Sequence, residues 1–377
     1  MIKILHLGDV HLDSPFSSLT PQKSDAHRRA LRATFARMMQ FAAREEVDMV
    51  LIAGDLFDCG FVFRDTLSLL ATAFETLSCP VLISPGNHDP YTPDSLYASG
   101  KLPSNVTVFS RKQPTRIDFP SLGVTVTGYA FTSERYDAPP LATLPPLPAD
   151  RINLLLAHTE LDNPLSHYAP ISLAALAQSG FAYAALGHVH LHTVPARAGN
   201  TTYAYCGMAE GRSFDEPGYG GANLVTLERD EKCPGGVSVR VERKIFAEHR
   251  YVLDTLDVTG AERDEEVLAK LRELITSRGY SKESALRVRL CGAVALAYTP
   301  HLESLAAQAG EGLSLLQLTD DTSPTYDSAY LEEDKTVRGE VYRILRDKLN
   351  SPDEKERATA TLALRYALLA LDGNLSI

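Results

Sequence analysis

The chain has 377 residues, longer than one average domain, and is 44% hydrophobic and 23% charged. Those values are ordinary for a globular chain with a sizeable buried core, and they exclude a fibre, a linker protein and extensive disorder. The net charge of −11 argues against broad electrostatic capture of nucleic acid, a mode that rests on Lys and Arg neutralising phosphates.

The opening apolar stretch, Ile2 to Leu7, is too short for a secretory signal or a bilayer span, so a cytoplasmic chain with no membrane association is expected. Apolar residues then recur at Leu31, Phe35, Met38, Met39 and Ala42, a spacing that predicts a helix with one buried face. Met49 to Ala53 is a second strand-like run. Leu67, Leu70, Ala71, Phe74 and Leu77 mark a second helix face, and Val81 to Ser84 is a third run. Strand, helix, strand, helix, strand predicts a parallel α/β core with right-handed crossovers. Further buried strands are expected at Val124 to Tyr129, Ile152 to Ala157 and Ala182 to Leu186, with a helix at Leu173 to Gln178. From Tyr203 to Phe246 the sequence alternates between glycine-rich turns, which suits an antiparallel edge or a second layer. The first domain, residues 1–247, closes there.

Residues 248–350 predict a small α+β domain: a helix at Val267 to Ile275, strands at Leu286 to Leu290 and Leu313 to Leu318, then the first of two helices that end the chain. A final helix over 351–377 has Ser351 as N-cap, Pro352 at its first position and Glu354 closing a capping box. Ala358, Leu362, Tyr366 and Leu369 form one apolar stripe, and Leu364, Leu368 and Leu371 a second. A helix apolar on most sides is usually core, with docking of a partner as the alternative. Cys59, Cys79, Cys206, Cys233 and Cys291 are odd in number and lack C-x-x-C spacing, so they read as reduced thiols. Arg28, Arg29 and Arg32 cluster in the first helix, and Arg111, Lys112 and Arg116 in a loop. Each group is either a local basic surface or ordinary solvated charge.

Five short motifs carry the chemistry: Asp9-Val10-His11, Gly54-Asp55, Gly86-Asn87-His88-Asp89, His158, and Gly187-His188-Val189-His190. Each directly follows a predicted strand, and the C-terminal ends of parallel strands converge on one edge of an open sheet, where such folds bind their ligands. Singly, each motif has a plainer reading as turn chemistry or as a satisfied buried histidine. Five in this order at strand ends make a metal centre the better one. Imidazole, carboxylate and amide oxygen donors without cysteine suit manganese, iron or zinc better than magnesium or calcium. Two ions sharing one carboxylate need about this many donors, and Asp55, on the predicted central strand, is the natural bridge. Gly187 is expected to permit the bend that turns both His188 and His190 inward. A pair of divalent ions suits phosphate-ester hydrolysis, because it activates a water and clamps the attacking and leaving oxygens. His88, beside Asn87, points past the ions toward a leaving group as a proton donor. Asp89 either orients His88 or caps the following turn.

These motifs resemble the calcineurin-like metallophosphoesterase superfamily over roughly the first 250 residues. His11-Leu12-Asp13-Ser14-Pro15, Gly54-Asp55-Leu56-Phe57-Asp58, His167-Tyr168-Ala169-Pro170, Gly211-Arg212-Ser213-Phe214-Asp215-Glu216 and Gly220-Gly221-Ala222 resemble its SbcD and YhaO group of DNA repair exonucleases. The resemblance implies a core of two mixed β-sheets flanked by helices, α/β/β/α, with a small C-terminal cap domain. It implies Asp9, His11, Asp55 and His190 around a first ion, Asp55, Asn87, His158 and His188 around a second, and His88 as the catalytic histidine. It further implies DNA as substrate, homodimerisation and an SMC-like ATPase partner. Relatives often have His where this chain has Asp58, so no role of that histidine transfers. The expected function is therefore a manganese-dependent DNA exonuclease or endonuclease. A small-molecule phosphodiesterase or nucleotidase is the alternative, and a metal-stabilised scaffold a third reading.

Overall fold

The computed structural model describes residues 1–17, 21–58, 62–144 and 146–371. It divides into two compact units, Met1–Arg250 and Tyr251–Ile377, three residues beyond the expected boundary at Ala247.

The first unit is built on two sheets. Strands β1 (Ile2–Leu7), β2 (Met49–Ile52), β3 (Val81–Ile83) and β4 (Val106–Val108) pair in parallel. The second sheet contains β5 (Thr115–Phe119), β6 (Val124–Gly128), β7 (Ile152–His158), β8 (Tyr183–Gly187), β9 (Ala196–Ala198) and β10 (Thr201–Tyr205), in the order β5-β6-β7-β8-β10-β9. Its four inner strands are parallel, and β5 and β9 are antiparallel edges. The glycine-rich β11 (Gly218–Arg229) returns to the first sheet and pairs antiparallel with β1, Ile4 opposite Val225. The segment from Tyr203 onward thus feeds both sheets, β10 joining the second in parallel rather than as an antiparallel edge. Strand β12 (Val237–Asp257) follows β11 in the first sheet and runs through the division between the units.

The inner strands read as continuous apolar runs because both of their faces are covered. In β2, Met49 and Leu51 meet Leu154, Leu156 and Ala185 of the second sheet, whereas Val50 and Ile52 face helices α1 (Pro21–Arg44) and α2 (Arg64–Glu75). The predicted stripe Leu31, Phe35, Met38, Met39 and Ala42 is the buried face of α1, and Leu70 and Phe74 lie buried on α2. On the outer side of the second sheet, Leu155, Ala157, Ala184 and Leu186 pack against Leu176 of α3 (Leu173–Gln178). The layers are therefore α/β/β/α, and the C-terminal ends of β1, β2, β3, β7 and β8 gather on one side.

The second unit pairs the end of β12 with β13 (Ser284–Val294), and β13 in parallel with β14 (Leu315–Pro324). Helices α4 (Asp264–Ser277) and α5 (Leu302–Ala309) cover these strands through Val267, Leu271 and Leu305; α5 had no counterpart in the sequence reading. Three helices end the described residues, one more than expected: α6 (Ser328–Glu333), α7 (Val337–Leu349) and α8 (Glu354–Leu371), around Leu331, Tyr342, Leu364 and Leu368. In α8 the expected cap fails, and the two apolar stripes part ways. The helix begins at Glu354, with Asp353 accepting from the Lys355 amide as its cap, while Ser351, outside the helix, accepts from the Asp353 amide and donates to Glu356. The stripe that enters the core is Leu364 and Leu368, and Leu362 and Tyr366 remain exposed. Both stripes are equally apolar, so sequence alone could not choose the buried one. Residues 372–377 lie outside the described residues, as does Cys59. The remaining cysteines are free thiols, and no described helix is long and apolar enough to cross a membrane.

Candidate metal centre

Three of the strand ends, those of β1, β2 and β8, deliver their motifs on an unusual stretch of backbone. Asp9 (φ 48°), His11 (φ 50°), Asp55 (φ 49°) and His188 (φ 103°) all occupy positive φ, a region that costs a non-glycine residue roughly 1–3 kcal/mol and that clusters at functional sites. The turns are pinned to one another: the Asp9 amide donates to Gly54 O at 3.0 Å, those of Val10 and His11 donate to Asp55 O, and the His188 amide donates to the Asp9 carboxylate at 3.0 Å. The bend expected at Gly187 falls one residue later, on His188. Gly187 serves close approach instead, since a Cβ there would lie 1.9 Å from Ala53 O. At Gly54 a Cβ would meet the His158 ring at 2.4 Å, and the backbone is at φ +85° besides.

These turns bring the predicted donors of both sheets together. One ligand atom each from Asp9, His11, Asp55 and His190 lie within 4.8 Å of one another. On the other side, Asn87 Oδ1 is 2.9 Å and Asp55 Oδ2 3.3 Å from His158 Nε2, and His188 packs edge-on against His158 with ring centroids 5.1 Å apart. Asp55 Oδ2 also lies 3.7 Å from His11 Nε2, so a single carboxylate oxygen faces one imidazole from each group.

The histidines are aimed by their Nδ1 atoms. His158 Nδ1 donates to Ala53 O at 2.9 Å, His190 Nδ1 to Glu216 at 2.7 Å and His11 Nδ1 to Asp58 at 3.1 Å. With Nδ1 as donor, each Nε2 points inward and carries a lone pair when its ring is neutral. His11 Nε2 and His190 Nε2 are then 3.1 Å apart, an approach of two ring nitrogens in a largely buried place that a shared proton or a metal ion between them makes favourable. The donor set thus fits a binuclear divalent metal site.

Burial and mutual charge set the protonation of these donors. Burial alone would raise Asp55, but the adjoining His158 draws its carboxyl well below the usual range. For His158, burial is outweighed by Asp55 and Asp9, which push the imidazole up to about 9. Burial, with His158 close by, drives His188 down to about 4, favouring the neutral ring a ligand needs. Burial holds Asp9 above its ordinary value.

His88 is different, with 47% of its side chain exposed, and its Nδ1 lies 2.8 Å from Asp58, whose hydrogen bond raises the imidazole's pKa. Asp89 does not touch it. The Asp89 carboxylate is buried and accepts from the amides of Gly86, Asp55, Leu56 and Phe57 and from the Tyr97 hydroxyl, tying the β2 and β3 turns together. The partner of His88 that sequence reasoning set aside is Asp58, three residues after Asp55; its signal was a second carboxylate within the same strand-end turn. A cavity of about 1080 Å³ opens beyond His88 and Asn87, lined in part by Tyr168 and Arg135. Of the basic clusters, Arg32 is paired with Asp13 and Arg28 with Asp25.

The calcineurin-like phosphoesterase family matches residues 2–192. The uncharacterized metallophosphoesterase YhaO of Bacillus subtilis is 29% identical over 235 residues, 59% of this chain and 57% of that protein. The DNA double-strand break repair protein Mre11 of Aeropyrum pernix is 30% identical over 315 residues, 76% of this chain and 71% of that protein. Its namesake from Saccharolobus solfataricus is 28% identical over 206 residues, 50% of each chain. The chain therefore spans between half and about seven tenths of the length of these relatives.

Proposed function

The chain belongs to the calcineurin-like phosphoesterase family and is a metal-dependent phosphoesterase, and on that premise we propose that it is a two-metal phosphodiesterase acting on DNA. In this reading Asp9, His11, Asp55 and His190 hold one ion, Asp55, Asn87, His158 and His188 hold the other, and manganese is the metal. The observation that carries it is Asp55 Oδ2, 3.3 Å from His158 Nε2 and 3.7 Å from His11 Nε2: one oxygen set between two donor groups is what a bridging carboxylate requires. When bound, the pair supplies an activated water and positive charge against the phosphate.

The chain's own residues do the rest. Asp58 keeps the His88 proton on offer at the mouth of the site, where the ring faces the cavity that would take the leaving portion of the substrate. Asp89 fixes the two turns that carry Asp55 and Asn87. DNA as substrate is supported by the Mre11 relatives, named for double-strand break repair. The net charge of −11 favours the second reading, a small phosphodiester or nucleotide. An SMC-like ATPase partner, homodimerisation and a capping role for the second unit follow from the same resemblance. The exposed Leu362 and Tyr366 of α8 are the surface offered for docking. The test is hydrolysis of single-stranded and double-stranded DNA with manganese, before and after chelation, beside a cyclic nucleotide. Cleavage of DNA that chelation abolishes supports the proposal, and turnover of the cyclic nucleotide alone replaces it with the second reading.

A further inference from the structure

The segment Gly211-Arg212-Ser213-Phe214-Asp215-Glu216 contributes none of the donors above, yet two of its side chains reach the centre. Glu216 Oε1 accepts from His190 Nδ1 at 2.7 Å and from Arg212 Nη2 at 2.7 Å, and Glu216 Oε2 accepts from the Arg212 amide at 2.8 Å. The same guanidinium donates through Nη1 to Asp58 Oδ2 and to Ser14 Oγ, both at 3.3 Å. Asp58 Oδ1 in turn takes His11 Nδ1 at 3.1 Å and lies 2.8 Å from His88 Nδ1. Glu216, Arg212 and Asp58 thus form one carboxylate–guanidinium–carboxylate chain whose free edges meet the Nδ1 atoms of three histidines. The side chains are 7%, 19% and 12% exposed, so these charge-assisted bonds work largely out of water.

We propose that Glu216 and Arg212 are positioning residues, which set His190 and His11, and through Asp58 also His88, in a single frame so that the first-ion ligands and the proton donor are oriented together. This rests on the two-metal reading above. A carboxylate at Nδ1 fixes which ring nitrogen carries the proton and swings the other toward the metal. A chain that served stability alone would not need to end on imidazoles, because buried ion pairs are often replaceable by apolar packing without loss of stability. His158 on the opposite side takes its Nδ1 partner from the main chain, Ala53 O, and so lies outside the frame.

The experiment is a calorimetric titration of manganese into the metal-free full chain, with hydrolysis of bis(4-nitrophenyl) phosphate measured in parallel. Glu216→Ala is expected to weaken one of the two binding events about 10- to 100-fold, the scale of lost outer-shell support, and to leave the other unchanged. Glu216→Gln, which keeps an acceptor oxygen for His190 Nδ1, is expected to restore most of that loss. Arg212→Ala is expected to weaken the same event and, at saturating manganese, to lower kcat with little change in KM. Equal weakening of both events, no change in either, or no rescue by Gln overturns the proposal. If Glu216→Ala does not fold, Glu216→Gln and Arg212→Lys carry the comparison, Gln close to wild type and Lys, without the guanidinium fork, weakened at one event. The reverse order overturns the proposal. A wild-type chain that binds no pair of manganese ions overturns the metal-centre reading itself, whatever the variants do.

Discussion

The two sides of the proposed two-ion centre are built by different means. On the first-ion side, His11 and His190 are held by carboxylates, and those carboxylates are joined by Arg212. On the second-ion side, His158 is held by the carbonyl of Ala53, and Tyr168 lies against His188 with centroids 4.5 Å apart. One side is an electrostatic frame closed by a segment more than 150 residues downstream of Asp58. The other is main chain and ring packing. The difference teaches where each side is vulnerable: the first to loss of a charge, the second to loss of strand geometry or of its Asp55 partner.

Asp55 belongs to both sides, so its removal has the largest expected effect. Asp55→Ala should lower phosphodiester hydrolysis by at least about 10³-fold, the upper range for losing one charge-stabilising group in an active site, and should weaken both manganese-binding events in calorimetry. A variant that loses only one event would break the symmetry claimed for that carboxylate. His88→Gln comes next. It should reduce kcat by about 10²–10⁴-fold, the range for a lost general acid, while both manganese events persist.

The pH dependence of stability reports on His158, the second-side histidine that faces carboxylates of both sides. In the metal-free chain the His158 imidazole is raised to about 9 by Asp55 and Asp9, against the opposing effect of burial. The folded state therefore holds a proton that the unfolded chain, near 6.5, gives up earlier. The stability this contributes is complete below about pH 6.5 and is lost as pH rises through about 9. Denaturant unfolding of the chelated protein should show that decline, and His158→Gln should flatten it. Manganese competes with the same proton, so its binding should release protons, seen as a buffer-dependent heat in calorimetry, and tighten with rising pH. The smallest effect is expected for Tyr168→Ala. An aromatic contact is worth about 0.5–1.5 kcal/mol, so manganese affinity should fall about two- to tenfold at one event, with Glu216 variants affecting the other. Both substitutions weakening the same event would erase the distinction between the sides.

Much of this was legible in sequence because strand ends announce themselves locally. Asp9, Asp55, Asn87, His158 and His188 each end a short apolar run, and parallel pairing then leaves them on one side. The supports were less legible, because they are tertiary. Nothing in the spacing of Arg212 and Glu216 reveals that they close on Asp58 and His190, and Asp89, next to His88 in sequence, turns away to the amides of the β2 turn. Asp58 was closer to being readable, lying in the same turn as Asp55. In the second unit the buried face of α8 stayed open because Leu362 and Leu364 offer equivalent apolar faces, and only the packing of Tyr342 against Leu364 and Leu368 decides between them.

The central claim, that these donors hold two ions and use both, is tested most directly by counting manganese ions bound per chain while following hydrolysis of bis(4-nitrophenyl) phosphate in the same titration. Two ions per chain are expected at saturation, with hydrolysis rising only as the second binds. Full activity with a single ion, or activity that persists in the chelated protein, would contradict it.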